Sequence, residues 1–299
     1  MNAKILTILS VVMFIAAGCG KEHDHEFWDS EYGDVPVGYM AYQLIWDDHA
    51  DSLSKIDNVK ITVTGHDALT KNYDFSSPQD AANEIYQFPE GSYNLLVEID
   101  MAEKDNFAVS QEAIPGDGSL PLTNSTLKTP PFAKRQAWFG VTSATVKNNQ
   151  ITIAQFTSKR LLSTFSVKIN GVPDGTTMSV DIFNMAQSVE LTTGRPSADK
   201  CPATTLGNLV KDGAAMVLTG NMIMPTANGD QNSSITLTTT TPDGETLVSK
   251  IDAPIMESGK SYVLEFDYEK LSPYIHISGS DINDWQQDWT TDGEILLPD

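Results

Sequence analysis

The sequence predicts an almost entirely β protein, built as two antiparallel β-sandwiches in tandem. Three observations carry this reading. Runs of about 5–9 apolar and β-branched residues recur along the chain. Gly, Pro, Asn and Asp separate them at the roughly 8–12-residue spacing usual for sandwiches. The length of 299 residues exceeds the roughly 100 that one such sandwich uses, so two domains are expected.

Strands are expected at 39–46, 59–64, 93–99, 137–146 and 151–157 in the first half. A second series is expected at 162–169, 178–184, 188–192, 215–222, 234–241, 246–251, 262–268 and 274–277. Val59, Ile61 and Val63 alternate with Lys60, Thr62 and Thr64, and Phe165, Val167 and Ile169 alternate with Ser166 and Lys168. A period of two gives one apolar and one polar face, as packed antiparallel sheets require. Asn148-Asn149 and Asp243-Gly244 read as hairpin turns because Asn and Gly accept positive φ, and Pro173-Asp174-Gly175 reads as another tight turn. The one expected helix is 79–86, opened by Ser77-Pro78. The Pro/Gly/Ser/Thr-rich stretch 115–131 reads as a linker or as a long loop of the first domain.

Composition excludes several functions. The net charge is −21 and the sequence pI about 4.4, leaving no basic face for nucleic acid. The chain has 2 cysteines, too few for a zinc or iron–sulfur site built on thiolates. An apolar fraction of 40% is enough for a packed core, which argues against disorder. There is no His-Glu-x-x-His, Gly-x-Ser-x-Gly or phosphate-cradling glycine loop. His49, His66 and His276 are scattered, and Cys201 has no recognisable catalytic partner. The chain is therefore read as a non-enzyme without a cofactor.

The N-terminus reads as an address. Lys4 precedes the apolar run 5–17, which is too short to span a bilayer comfortably. Ala16, Ala17 and Gly18 then lead to Cys19. This pattern resembles a bacterial lipobox, so 1–18 is expected to be a lipoprotein signal peptide and Cys19 the acylated first residue of the mature chain. An acyl chain adds about 0.8 kcal/mol of membrane affinity per buried CH₂. Lys21 and Glu22 open a polar tether, 19–35, similar to the surface-export signal of Bacteroidetes lipoproteins. The implied location is the outer face of the outer membrane. With Cys19 acylated, Cys201 has no thiol within the chain to pair with. His23 and His25 flank Asp24 and read as part of the hydrated tether.

Two weaker signals concern ligands. Asp47, Asp48 and Asp51 crowd the end of the first expected strand, and Asp281, Asn283, Asp284 and Asp288 crowd the C-terminus. Calcium takes six to eight oxygens and can use such runs. A chain with 40 acidic residues also produces them by composition. Trp289, four residues after Trp285, is a candidate for stacking on a sugar ring.

Several elements together resemble the fimbrillin-like lipoproteins of Bacteroidetes, especially the fimbrial-anchor branch. They are the lipobox at Cys19, the segment Phe88-Pro89-Glu90-Gly91-Ser92-Tyr93-Asn94-Leu95-Leu96, Trp138-Phe139-Gly140 before a hairpin, Lys159-Arg160-Leu161-Leu162 before a strand, and Ile282-Asn283-Asp284-Trp285. The resemblance implies transthyretin-like sandwiches with a break near Lys159, giving domains 36–158 and 159–299. It implies a fimbrial anchor or accessory subunit that joins other fimbrial subunits by β-strand addition, with no enzymatic activity. In that family an arginine-specific protease removes the first strand of stalk subunits, and a partner strand fills the groove. Here no arginine lies between Cys19 and Arg135, which favours an uncleaved, tethered anchor over a stalk subunit. The alternative reading is a lipid-anchored module that binds a glycan or host ligand. From the residues alone, Glu90-Gly91-Ser92 is expected to be a turn using glycine at positive φ, and Trp138, Phe139 and Trp285 are expected in cores.

Overall fold

The computed structural model describes residues 32–33, 35–46, 56–65, 69–102, 106–133, 135–229, 232–275, 289–291 and 294–295, with side chains as far as Leu271. The first half contains β1 (Val37–Trp46), β2 (Val59–Gly65), β3 (Thr70–Phe75), α1 (Pro78–Asn83), β4 (Ile85–Pro89) and β5 (Gly91–Ile99). Next come β6 (Phe107–Gln111), β7 (Thr123–Leu127), β8 (Phe132–Ala133), β9 (Trp138–Val146) and β10 (Ile151–Arg160). One layer has the order β3-β2-β5-β9 and the other β10-β1-β4. The layers meet at the β9–β10 hairpin, whose turn holds Asn149 at φ 54. β10 pairs with β9 at Lys159–Phe139 and Arg160–Trp138, and runs parallel to β1 from Tyr39–Ile151 to Trp46–Ser158.

Between these layers lies an aromatic core. Tyr42 of β1 sits 5.9–6.4 Å from the rings of Tyr73, Phe75, Tyr86 and Phe156. Phe88 and Phe156 are fully buried, each contributing about 1.5–3 kcal/mol by leaving water. Met40, Tyr42 and Ala154 point inward, while Tyr39, Ala41 and Ile153 point outward, as the two-residue period requires.

The second half continues with β11 (Ser163–Asn170), β12 (Thr177–Phe183), β13 (Ser188–Glu190), β14 (Arg195–Pro196), β15 (Thr205–Asn208) and β16 (Val210–Asp212). It ends with β17 (Ala215–Ile223), β18 (Ser233–Thr240), β19 (Thr246–Ala253), β20 (Ser261–Asp267), α2 (Tyr268–Ile275), β21 (Trp289–Thr291) and β22 (Glu294–Ile295). One sheet runs β16-β17-β11-β20-β21-β22, and a facing sheet runs β15-β12-β18-β19. Phe165, Val167 and Ile169 from β11 meet Ile235 and Leu237 from β18 in a second core. The protein is nearly all β, with tandem sandwiches, as the sequence pattern indicates.

The stretch 115–131 is more than a linker. It contains β7, which pairs with β6 on one side and β13 of the second half on the other. β8 then pairs with β17. Phe107, Leu127 and Ala133 are buried in the second core, although they precede the last two strands of the first. Between β6 and β7, the carbonyl of Gly118 accepts hydrogen bonds from Thr64 Oγ1 at 2.9 Å and Asn94 Nδ2 at 3.0 Å, laying this segment across the first sheet. Gln136 closes the junction: its amide donates to the Leu162 carbonyl at 3.0 Å and accepts from the Leu162 N–H at 2.9 Å.

Other elements also differ from expectation. The helix stops at Asn83 rather than running to 86, because Ile85–Pro89 pairs antiparallel with β1. Its N-cap is Ser77, whose side chain accepts from the Asp80 N–H at 3.1 Å. Residues 274–275, read as a strand start, belong to α2. Gly91 is not at positive φ; it simply opens β5. Gly175 and Gly244 do adopt positive φ, at 84° and 83°, as their turns require.

Candidate interaction surfaces

The first strand is the most distinctive element for function. β1 is held in a slot between β10, which runs parallel to it, and β4, which runs antiparallel. Met40 and Tyr42 are 0% and 2% exposed, so the strand is bound by its side chains as well as its backbone. Gly38 permits the close fit: a Cβ there would collide with the Lys147 carbonyl oxygen and the Val146 side chain. Gly140 does the same on β9, where a Cβ would lie 2.9 Å from the Thr157 carbonyl oxygen. The Tyr42 hydroxyl is buried and has no hydrogen-bond partner among the described residues. Burial foremost, with Tyr73 and Tyr86 nearby, pushes its ionisation well above the ordinary tyrosine value.

The outward face of β4-β1-β10 forms a second surface. Gln87, Tyr39 and Ile151 align in one row, and Ile85, Ala41 and Ile153 in the next. Gln43 follows beside Gln155, whose amide N–H it accepts at 3.4 Å, and Ile45 lies beside Thr157. No outward residue in these rows is charged. Ile153, Ile151, Ile85 and Ile45 are 54%, 48%, 41% and 38% exposed.

The remaining sheets present charges. β2, β3 and β5 bring together Lys60, Asp74 and Glu98. Glu98 is 3% exposed, with Lys60 Nζ at 3.3 Å. Burial raises its pKa above the usual carboxylate value, while Lys60 pulls it down and Asp74 adds a smaller upward push. Lys168 and Glu265 pair at 2.6 Å across β11 and β20. β12 and β19 carry Asp181, Lys250 and Asp252. At the junction Arg135 reaches Asp100 at 3.1 Å and Asp57 at 3.4 Å.

Cys19, Lys21, Glu22, Asp47, Asp48 and Asp51 lie outside the described residues, as do His49, His66, His276 and Trp285. Trp289 begins β21, paired with Leu264 of β20; its side chain is outside the description. Trp138 and Phe139 are each 5% exposed but serve different cores, Trp138 the first and Phe139 the second. Cys201 is half-buried and donates to the Ala203 carbonyl at 3.2 Å, and burial raises its thiol pKa. Among the described residues, no group of three or more His, Cys, Asp or Glu could hold a metal, and no helix is long and apolar enough to cross a membrane. The sequence reading missed the uncharged face. Its signal was present in the alternate residues of 39–45 and 151–157, but the pairing that joins them is not local.

No family model matches the chain, and no curated protein matches it in sequence. Solved structures do match. The fold is that of the fimbrial anchor protein Mfa2 from Porphyromonas gingivalis. The TM-score is 0.51 at 10% identity, covering 87% of this chain and 98% of Mfa2. A Bacteroides thetaiotaomicron protein provisionally described as polysaccharide binding also has a TM-score of 0.51 at 10% identity, covering 78% of this chain and 92% of its own. A provisionally described adhesin from the same species matches at a TM-score of 0.49 and 12% identity, over 84% and 97%. The likeness to a fimbrial anchor protein therefore holds at the level of fold, across nearly the full length of Mfa2. At 10% identity the shared property is the arrangement of strands, which buried-face patterning can preserve while surface residues change.

Proposed function

We propose that this chain is a surface lipoprotein of the outer membrane that anchors a fimbria or serves as its accessory subunit. Cys19 would carry the acyl chain, and Lys21 and Glu22 would direct export to the outer face. The two sandwiches would stand above the tether and join other fimbrial subunits by β-strand addition, in which an extended segment completes a sheet edge. One observation carries the anchor reading. β1 is built into the first sandwich, with Met40 and Tyr42 buried, in a stretch with no arginine before Arg135. A retained first strand keeps the folded domain covalently joined to Cys19, whereas its removal would release the body from the membrane. The match to Mfa2 supports the same reading.

The test is mass spectrometry of the protein recovered from the cell surface, paired with a gene deletion. The expected mature N-terminus is acylated Cys19, and deletion is expected to detach or miscount fimbriae. An N-terminus near residue 60 or beyond, or unchanged fimbriae after deletion, overturns the proposal. Glycan or host-ligand capture is the second reading, favoured by the fold match to the provisionally described polysaccharide binding protein. Under that reading Trp289→Ala would abolish glycan retention while leaving fimbriae intact.

A further inference from the structure

We propose that Tyr73 and Tyr86 form an oxidative cross-linking site, at which a haem peroxidase using hydrogen peroxide joins the two rings as dityrosine. Nothing in this proposal depends on the fimbrial reading. Tyr73 lies on β3, the edge of one layer of the first sandwich, and Tyr86 on β4, the edge of the other. Their strand partners are Ile61 and Met40, both 0% exposed. Cross-strand partners share a face, so both tyrosines turn toward the core. Each is only partly buried against it, which leaves the pair at a rim that an oxidant reaches. The ring centroids are 4.0 Å apart at an interplanar angle of 37°. That is closer than the roughly 4.5–7 Å at which aromatic pairs ordinarily settle. Tyr42 stands farther from both, at 6.1 and 5.9 Å, and is 2% exposed.

The chemistry balances on these two side chains and the oxidant. Each phenol gives up one electron and one proton and becomes a phenoxyl radical. The radicals join through a ring carbon ortho to each oxygen, and the hydrogen on each joined carbon moves to its oxygen, restoring both aromatic rings. The two electrons and two protons reduce one hydrogen peroxide to two waters. Burial foremost, with Glu84 nearby, holds the Tyr86 phenol above its ordinary pKa, so it gives up its proton together with its electron. The bond would tie β3 to β4, the outer neighbour of β1, and so lock β1 into its slot between the layers. The chain between the two tyrosines passes through α1, whose Ala81 is 0% exposed in the same core and fixes their approach. Neither of the two cysteines falls within residues 36–158, so a disulfide cannot do this work for the first sandwich.

The test treats the purified full chain, at high dilution, with horseradish peroxidase and hydrogen peroxide. Dityrosine fluorescence is expected in the band of monomer mass. Digestion after lysine and glutamate separates peptides 72–84 and 85–90, and mass spectrometry is expected to find them joined, with two hydrogens lost. Tyr73→Phe and Tyr86→Phe keep the rings and are each expected to lower the fluorescence at least tenfold. Tyr268→Phe, in the second half, is expected to leave it unchanged. The Tm of the cross-linked chain is expected to rise, because joining residues 73 and 86 removes freedom from the unfolded state as a disulfide does. Four results each overturn the proposal. They are no dityrosine in the monomer, a map that joins other tyrosines, fluorescence that survives Tyr73→Phe or Tyr86→Phe, or a Tm that stays the same or falls on cross-linking.

Discussion

Tyr42→Phe is expected to stabilise this protein, although it deletes a polar group from the middle of the first core. Tyr42 is 2% exposed, and among the described residues its hydroxyl has no hydrogen-bond partner. Burying a hydroxyl without a partner costs about 1–3 kcal/mol relative to a satisfied or absent one. Phenylalanine keeps the ring contacts with Tyr73, Phe75, Tyr86 and Phe156 and removes only that penalty. For a domain of about 150–250 residues, each kcal/mol moves Tm by about 2–4 °C, so the lower end of the penalty predicts a rise of about 2–4 °C. Tyr42→Ala, which removes the ring as well, should cost about 3–5 kcal/mol. The assay is thermal and urea unfolding of both variants, together with the rate of proteolysis within β1. Tyr42→Phe should slow that cleavage and Tyr42→Ala should speed it, because Tyr42 fastens the strand into its slot. A Tm that falls by more than a degree in Tyr42→Phe would refute the reasoning, since it would mean that the hydroxyl is hydrogen-bonded in the native state.

Three further outcomes follow from the same packing. Glu98→Gln should flatten part of the pH dependence of stability. The native Glu98 pKa is raised above the reference of 4.5, so the folded state holds a proton that the unfolded state loses. The wild type therefore becomes less stable relative to Glu98→Gln as pH rises through that window, and the full difference persists above the native pKa; urea midpoints from acid to neutral pH check this. Gly38→Ala should destabilise by roughly 3 kcal/mol or more, because its Cβ would collide with the Lys147 carbonyl oxygen and the β9–β10 turn must shift; calorimetry measures the loss. Arg135→Ala should cost about 1–3 kcal/mol, since Asp100 is 2% exposed and loses its guanidinium neighbour at 3.1 Å; denaturant unfolding reads this directly.

The sequence revealed those strands whose apolar faces it could display by alternation. β11 and β18 alternate buried and outward positions throughout, whereas β2 buries Thr62 and Thr64 as well as Val59, Ile61 and Val63, and the turns at Asn149 and Gly244 adopt positive φ. β7 escaped notice because its inward positions are Thr123, Ser125 and Leu127, and hydroxyl residues give little hydrophobic contrast. β4 escaped because its first residues extend a helical-looking run from Pro78; pairing with β1 outweighs that local preference. Trp138 and Phe139 were legible as core residues. Their service to two separate cores follows from successive strand residues pointing in opposite directions.

The sequence alone determined the all-β class and the tandem-sandwich plan, because these depend on composition and local period. Tertiary structure decided what lies beside what. It seated β1 between β4 and β10, sent residues 107–133 into the second half, and brought outward positions from 37–45, 85–89 and 151–157 into one uncharged face. The reason is physical: alternation fixes which side of a strand is buried, but long-range pairing selects the neighbouring strand and hence the surface that the outward side chains share.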